Sequence, residues 1–246
     1  MLLVLRSILF NLAFYLIIVL YVILALPFFA LPYRALVGFG KFWGRTNLWL
    51  LKVICGIDVA FRGIDKIPPG PLIVAAKHQS MWETFTLLLL FAEPTYIMKR
   101  ELMWIPFFGW YLWKSRMIPV DRGSRVPALR RMTTRVRREL ARGRQIIIFP
   151  EGTRRSPGAP PDYKYGSAHI YAETGVPCVP VALNSGLFWG RRSFLRYPGT
   201  ITVEILDPIP PGLDKEAFIE RLKHDIETAT DRLVADASRE PQRPAA

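Results

Sequence analysis

Cysteine is scarce in this chain of 246 residues: Cys55 and Cys178 stand alone among apolar neighbours, with no C-x-x-C. This excludes a disulfide framework and a cysteine-based zinc site. It fits two buried thiols in a reducing compartment. Histidine is scarce too, with three, and no histidine pair or carboxylate cluster has metal-ligand spacing. No metal is therefore expected. The absence of G-x-S-x-G sets a serine hydrolase aside. Acidic residues are in deficit, 20 against 33 basic ones, for a net charge of +13. Such a chain suits a polyanionic partner. No nucleic-acid-binding motif accompanies the charge, and 51% apolar residues turn the reading toward lipid.

What the N-terminus lacks is charge altogether: residues 7 to 33 carry none. A membrane span needs about 20 apolar residues, so the run is long enough. A cleaved signal peptide would have a shorter apolar region, of about 7 to 15 residues. Arg6 precedes the run, whereas Arg34, Lys41, Arg45 and Lys52 come after it. The heavier positive flank places the main domain on the cytoplasmic side. Between 35 and 55, Lys41, Arg45 and Lys52 share a helical face, with Trp43 and Trp49 among them. That pattern suits either an interfacial helix or an amphipathic helix packed on a core. The expected organisation is a membrane-anchoring segment over 1–55, one catalytic-sized domain over 56–237, and a disordered tail over 238–246.

From residue 56 onward, short apolar runs alternate with helical periodicity. VAF (59–61), PLIVAA (71–76), PTYIM (94–98), RMIPV (116–120), QIIIF (145–149), VPCVPVAL (176–183) and TITVEIL (200–206) read as strands. Several are apolar on both faces, as in sheets covered on both sides. Helices are expected over about 125–142, ended by Gly143, and about 213–236. The fold class is α/β: a central, mostly parallel sheet flanked by helices, with an N-terminal membrane-associated helical segment.

AAKHQSMWETF, residues 75–85, sets His78 directly after a buried strand, where open α/β sheets bind ligands. Histidine is suited to accept a proton near neutral pH, and Glu83 could orient its ring. On an ideal helix, side chains five apart diverge by about 140°. The pair can meet only if His78 lies outside the helix and Glu83 lies in its first turn. Ser80 and Glu83 form the S-x-x-E of a capping box, which supplies that arrangement but also explains both residues without chemistry. An H-x4-[DE] match arises by chance in roughly a quarter of chains of this composition.

QIIIFPEGTRRS, residues 145–156, is more specific. A strand ends at Phe149, Gly152 permits a sharp turn, Thr153 offers a hydroxyl, and Arg154 offers a fork matched to phosphate. Between the two sites, Lys99 and Arg100 end one strand, and Asp121 and Arg122 end another. Arg122 is a phosphate-binding candidate; a surface ion pair is the alternative. The aromatic segment from Trp104 to Trp113 could line an acyl pocket, touch a bilayer or fill the core. The arginines at 130, 131, 135, 137, 138 and 142 suit anionic lipid headgroups, an acidic carrier protein, or solvent alone.

KHQSMWE, KRELMWIPFFGWYLWKSRMIPVDR, FPEGTRR and VPCVPVAL, in that order over about 55–210, resemble the glycerolipid acyltransferase family. Within it, the blocks are most similar to the bacterial branch that acylates 1-acyl-sn-glycerol-3-phosphate. The resemblance implies that His78 is the catalytic base and Glu83 its partner, where the commonest family form has aspartate. It implies Arg122, Glu151, Gly152, Thr153 and Arg154 as substrate-binding residues, with Lys99 assisting. It implies a thioester co-substrate, acyl-CoA or acyl carrier protein, and no bound cofactor. Lysophosphatidic acid and anionic membrane lipids would be the partners, at the cytoplasmic face of a bacterial inner membrane. A relative acting on another lysolipid, such as lyso-ornithine lipid, and a non-catalytic lipid-binding scaffold are the competing readings. His169 and His224, with no acidic residue five positions on, read as structural.

Overall fold

The computed structural model describes residues 1–121 and 125–239, with the backbone alone at 125, 126 and 128. Seven strands form one sheet: β1 (Ile57–Arg62), β2 (Leu72–Ala76), β3 (Pro94–Lys99), β4 (Ile118–Val120), β5 (Gln145–Ile148), β6 (Cys178–Leu183) and β7 (Gly199–Ile205). Their order is β1-β7-β6-β2-β5-β3-β4. The five strands from β6 to β4 run parallel; β7 pairs antiparallel with β6, and β1 runs parallel to β7. Each of the seven apolar runs became a strand, in a mostly parallel sheet.

The helices are α1 (Leu2–Leu24), α2 (Tyr33–Leu50), α3 (Glu83–Leu90), α4 (Phe108–Lys114), α5 (Arg125–Leu140), α6 (Gly166–Thr174), α7 (Ser185–Phe188) and α8 (Lys215–Arg239). Gly143 stands just after α5 at φ 79°, and its N–H bonds the Leu140 carbonyl at 2.8 Å. The two-residue period of the strands sorts their side chains between two cores. Leu72, Val74, Ala76, Ile147, Val179 and Val181 meet α3 and the N-terminal helices. Ile73, Ala75, Ile146, Ile148 and Cys178 meet α5, α6 and α8 through Met132, Val136, Ile170, Phe218, Leu222 and Ile226.

The first of these cores continues into the N-terminal segment. Phe10 and Phe14 of α1, together with Leu50, Leu51 and Cys55, belong to the cluster that covers β2 and β6. The rings of Phe10 and Phe14 stand edge-on to Trp189 at 5.4 and 5.6 Å. The Arg196 guanidinium lies 4.2 Å from the Trp189 ring centre and donates to Asn11 Oδ1 at 3.0 Å. Among the described helices, α1 alone is long and apolar enough to cross a membrane. The segment after it is amphipathic, and its two tryptophans part company. Trp49 is exposed, whereas Trp43 packs on Phe14 and Phe85. Lys41 turns inward and donates to the carbonyls of Phe91 and Ala92, just past the end of α3.

Candidate active site

The carboxyl ends of β2, β3, β5 and β6 lie along one edge of the sheet. Lys77, His78 and Gln79 leave β2 there, and the irregular turn 80–82 leads into α3. Regular helix begins at Glu83, two residues later than a helix capped by Ser80 would. Ser80 Oγ instead accepts from the Trp82 N–H at 3.2 Å inside that turn. Glu83 therefore occupies the first helical position with His78 outside it, the one arrangement that lets a pair five apart converge.

They do converge. His78 Nδ1 lies 3.0 Å from Glu83 Oε1. That oxygen also accepts the N–H groups of Gln79 and Ser80, each at 2.6 Å. Glu83 Oε2 accepts Ser185 Oγ at 2.9 Å. The carboxylate is wholly buried, so these donors replace its water shell. With Nδ1 engaged by a carboxylate, the ring carries its hydrogen there and leaves Nε2 with a free lone pair. The ring stacks on Phe149 at 3.9 Å, which fixes its plane. Its side chain keeps 12% exposure, enough to reach a substrate.

The loop after β5 completes the edge. Pro150 lies just past the strand, and Gly152 stands at φ 65°, in the left-handed region that favours glycine. The Gly152 N–H closes the turn onto the Phe149 carbonyl at 2.9 Å. The Arg155 N–H donates to the His78 carbonyl at 2.8 Å, stitching this loop to the β2 end. Glu151 is buried, and its Oε2 accepts from the His78 N–H at 3.4 Å. Burial pushes the Glu151 carboxyl above its ordinary range, and Lys77 opposes that shift. Glu151 is thus held against the main chain of His78, with its other oxygen on Lys77 Nζ at 3.0 Å. Arg154, half-buried, is drawn below the usual arginine range by burial, against the nearby Glu83 charge that raises it. Among the described residues no carboxylate is in ion-pair contact with Arg154 or with the exposed Lys99 at the end of β3. Thr153 lies partly exposed between Gly152 and Arg154. Arg122 lies outside the described residues; its neighbour Asp121 pairs with Arg100 at 2.8 Å.

Residues 58–184 match a family model described as Acyltransferase. The chain belongs to the acyltransferase family. A 1-acyl-sn-glycerol-3-phosphate acyltransferase of Pseudomonas aeruginosa is 38% identical over 176 residues, covering 71% of this chain and 68% of that protein. The human 1-acyl-sn-glycerol-3-phosphate acyltransferase alpha is 30% identical over 199 residues, 78% of this chain and 70% of that one. The crystal structure of the 1-acyl-sn-glycerophosphate acyltransferase PlsC from Thermotoga maritima superposes with a TM-score of 0.78 at 25% identity. The match covers 97% of this chain and 99% of that chain. His78, Glu83 and residues 151–154 all fall inside the segment that marks the acyltransferase family, as does Ser185's neighbour Asn184; α8 falls outside it.

Several residues around the site were not singled out from the sequence. Ser185 reaches Glu83 from 102 positions on. Gln79 Oε1 accepts the Gly186 N–H at 2.9 Å, tying the histidine turn to the same stretch. Lys77 was visible as a charge at the end of an apolar strand, a placement that calls for a buried partner. The aromatic segment is not core: Trp104 and Trp113 are 68% and 69% exposed. A Cβ on Gly109 of α4 would stand 2.0 Å from the Met103 carbonyl oxygen, so only glycine lets this segment fold back on itself. At the start of β4, in a groove that His78 does not line, about 1050 Å³ is bounded by Arg34, Arg116, Arg135, Arg138 and Arg142 beside Trp113. Among the described residues no cluster of three or more histidine, cysteine or acidic side chains could hold a metal ion.

Proposed function

We propose that this chain transfers a fatty acyl group from a thioester to the free sn-2 hydroxyl of 1-acyl-glycerol-3-phosphate, forming phosphatidic acid. The observation that carries the reading is the buried Glu83 carboxylate 3.0 Å from His78 Nδ1, beside a guanidinium with no ion-pair partner among the described residues. The Pseudomonas and human relatives support the same acceptor. His78 Nε2 takes the hydroxyl proton as the oxygen attacks the thioester carbonyl. Glu83 stabilises the imidazolium that forms. As the tetrahedral intermediate collapses, the C–S bond breaks and the imidazolium returns its proton to the departing thiolate. Arg154 and Lys99 hold the acceptor phosphate, with Arg122 as a third candidate, and Gly152 and Thr153 shape the turn that presents Arg154. The thioester donor is coenzyme A or acyl carrier protein.

The same reading seats the apolar N-terminal helix at a bilayer, with the sheet on the cytoplasmic side of a bacterial inner membrane, because Arg34, Lys41 and Arg45 follow the uncharged run. The exposed Trp113 beside the basic groove suits contact with anionic headgroups. The test is acyl transfer to lysophosphatidic acid in liposomes, wild type beside His78→Ala, with both donors. A loss of at least about 100-fold in the folded variant supports the base. Equal activity in both removes His78 from the chemistry, and the histidine–carboxylate mechanism with it. No activity in either protein moves the assignment to a different acceptor, lyso-ornithine lipid first.

A further inference from the structure

Immediately before His78 stands Lys77, a charged side chain just 3% exposed. Its Nζ donates three hydrogen bonds: to Glu151 Oε1 at 3.0 Å, and to Glu227 Oε1 and Oε2 at 2.8 and 2.9 Å. The other oxygen of Glu151 takes the His78 N–H. Glu227, on α8, also accepts the Tyr163 hydroxyl at 2.9 Å. Burial, followed by the Glu227 charge, pushes the Tyr163 hydroxyl far above its ordinary range, so it stays a donor. An unbroken path therefore runs from α8 through Glu227, Lys77 and Glu151 to the main chain of His78.

A buried ion pair adds little net stability over an apolar packing of the same shape. What it supplies is direction, because each of the three ammonium hydrogens has one fixed acceptor. Here that direction is transmitted to the backbone of one residue. We infer that Glu227 is a positioning residue for His78, acting through Lys77 and Glu151 from a helix outside the matched acyltransferase segment. The inference rests on the reading of His78 as the general base. Glu227 touches no reacting atom; it holds Lys77, Lys77 holds Glu151, and Glu151 holds the turn that aims the imidazole.

The experiment is a double-mutant cycle on the full chain in liposomes, reading kcat and KM for lysophosphatidic acid. Glu227→Gln keeps the shape and removes the charge. It lowers kcat about tenfold, the scale of a misplaced catalytic group, and leaves KM within about twofold because the phosphate contacts lie elsewhere. In a Lys77→Met background the same change has no further effect on kcat, since the path is already cut. Should Glu227→Gln fail to fold, Tyr163→Phe takes its place; it removes the second bond that holds Glu227 and lowers kcat about threefold with KM unchanged. Unchanged kcat in the folded variant, or effects that multiply across the cycle, overturns the inference. His78→Ala runs in the same series. An inactive His78→Ala beside a fully active Glu227→Gln defeats this inference alone, whereas an active His78→Ala defeats the base assignment and this inference with it.

Discussion

Replacing Glu83 with glutamine separates the charge of the carboxylate from its shape. The amide oxygen can still accept the N–H groups of Gln79 and Ser80, and its NH2 group can donate to Ser185 Oγ in place of the bond Ser185 now makes. The fold of the turn should survive. What disappears is the negative charge opposite the imidazolium that forms when His78 takes the hydroxyl proton. The contact is 3.0 Å between atoms. With charge centres about 4 Å apart and an effective dielectric of about 20, the interaction amounts to about 4 kcal/mol. That corresponds to about a thousandfold in kcat. The assay is steady-state acyl transfer to lysophosphatidic acid at saturating donor, with circular dichroism and a thermal midpoint to establish folding. Glu83→Asp is the companion variant: it keeps the charge, falls one methylene short of its donors, and loses about tenfold. A folded Glu83→Gln protein within about tenfold of wild type would refute the role of this carboxylate, and with it the histidine–carboxylate mechanism.

Three further outcomes are expected from the same geometry. Arg154→Ala lowers kcat/KM for lysophosphatidic acid by about 10- to 100-fold, the loss of one charge-assisted bond of about 1.5–3 kcal/mol. It changes little for an acceptor without phosphate, so a uniform loss across both acceptors disproves phosphate recognition by Arg154. Gly109→Ala forces a methyl group to within 2.0 Å of the Met103 carbonyl oxygen and opens the exposed aromatic segment. Limited proteolysis should find new cleavage between residues 103 and 114, and an unchanged digest contradicts the packing. Cys178 is buried and burial pushes its thiol up, so the native protein resists alkylation at about pH 8, and only denaturation should expose it to a maleimide.

How much of this was legible in the sequence depended on the distance over which each contact acts. QIIIF and PLIVAA had to be strands because each is apolar on both faces and too short for a helix, and they became neighbouring central strands. The direction of β7 was not legible, because TITVEIL reads the same whether it pairs parallel or antiparallel. The convergence of His78 and Glu83 came from local geometry, as both lie in one strand–turn–helix. Glu227 and Lys77 lie 150 positions apart, and nothing in the periodicity of α8 marks Glu227 out from the other charges of its helix. The shared core of α1 and the sheet was hidden for a different reason: a helix apolar all round shows no face that says where it docks. A run of uncharged leucine, isoleucine and aromatic side chains reads alike, whether lipid or Trp189 lies beyond it.

That docking has a consequence for how a lipid is found. Phe10 and Phe14 press on Trp189, and four residues earlier in the chain Ser185 holds Glu83. With α1 in a bilayer, the part that holds the membrane and the part that does the chemistry form one rigid piece, with no tether between them. The height of His78 above the lipid is then a constant of the fold. A substrate already lying in the membrane is met at one depth, and the encounter reduces to lateral diffusion in a plane.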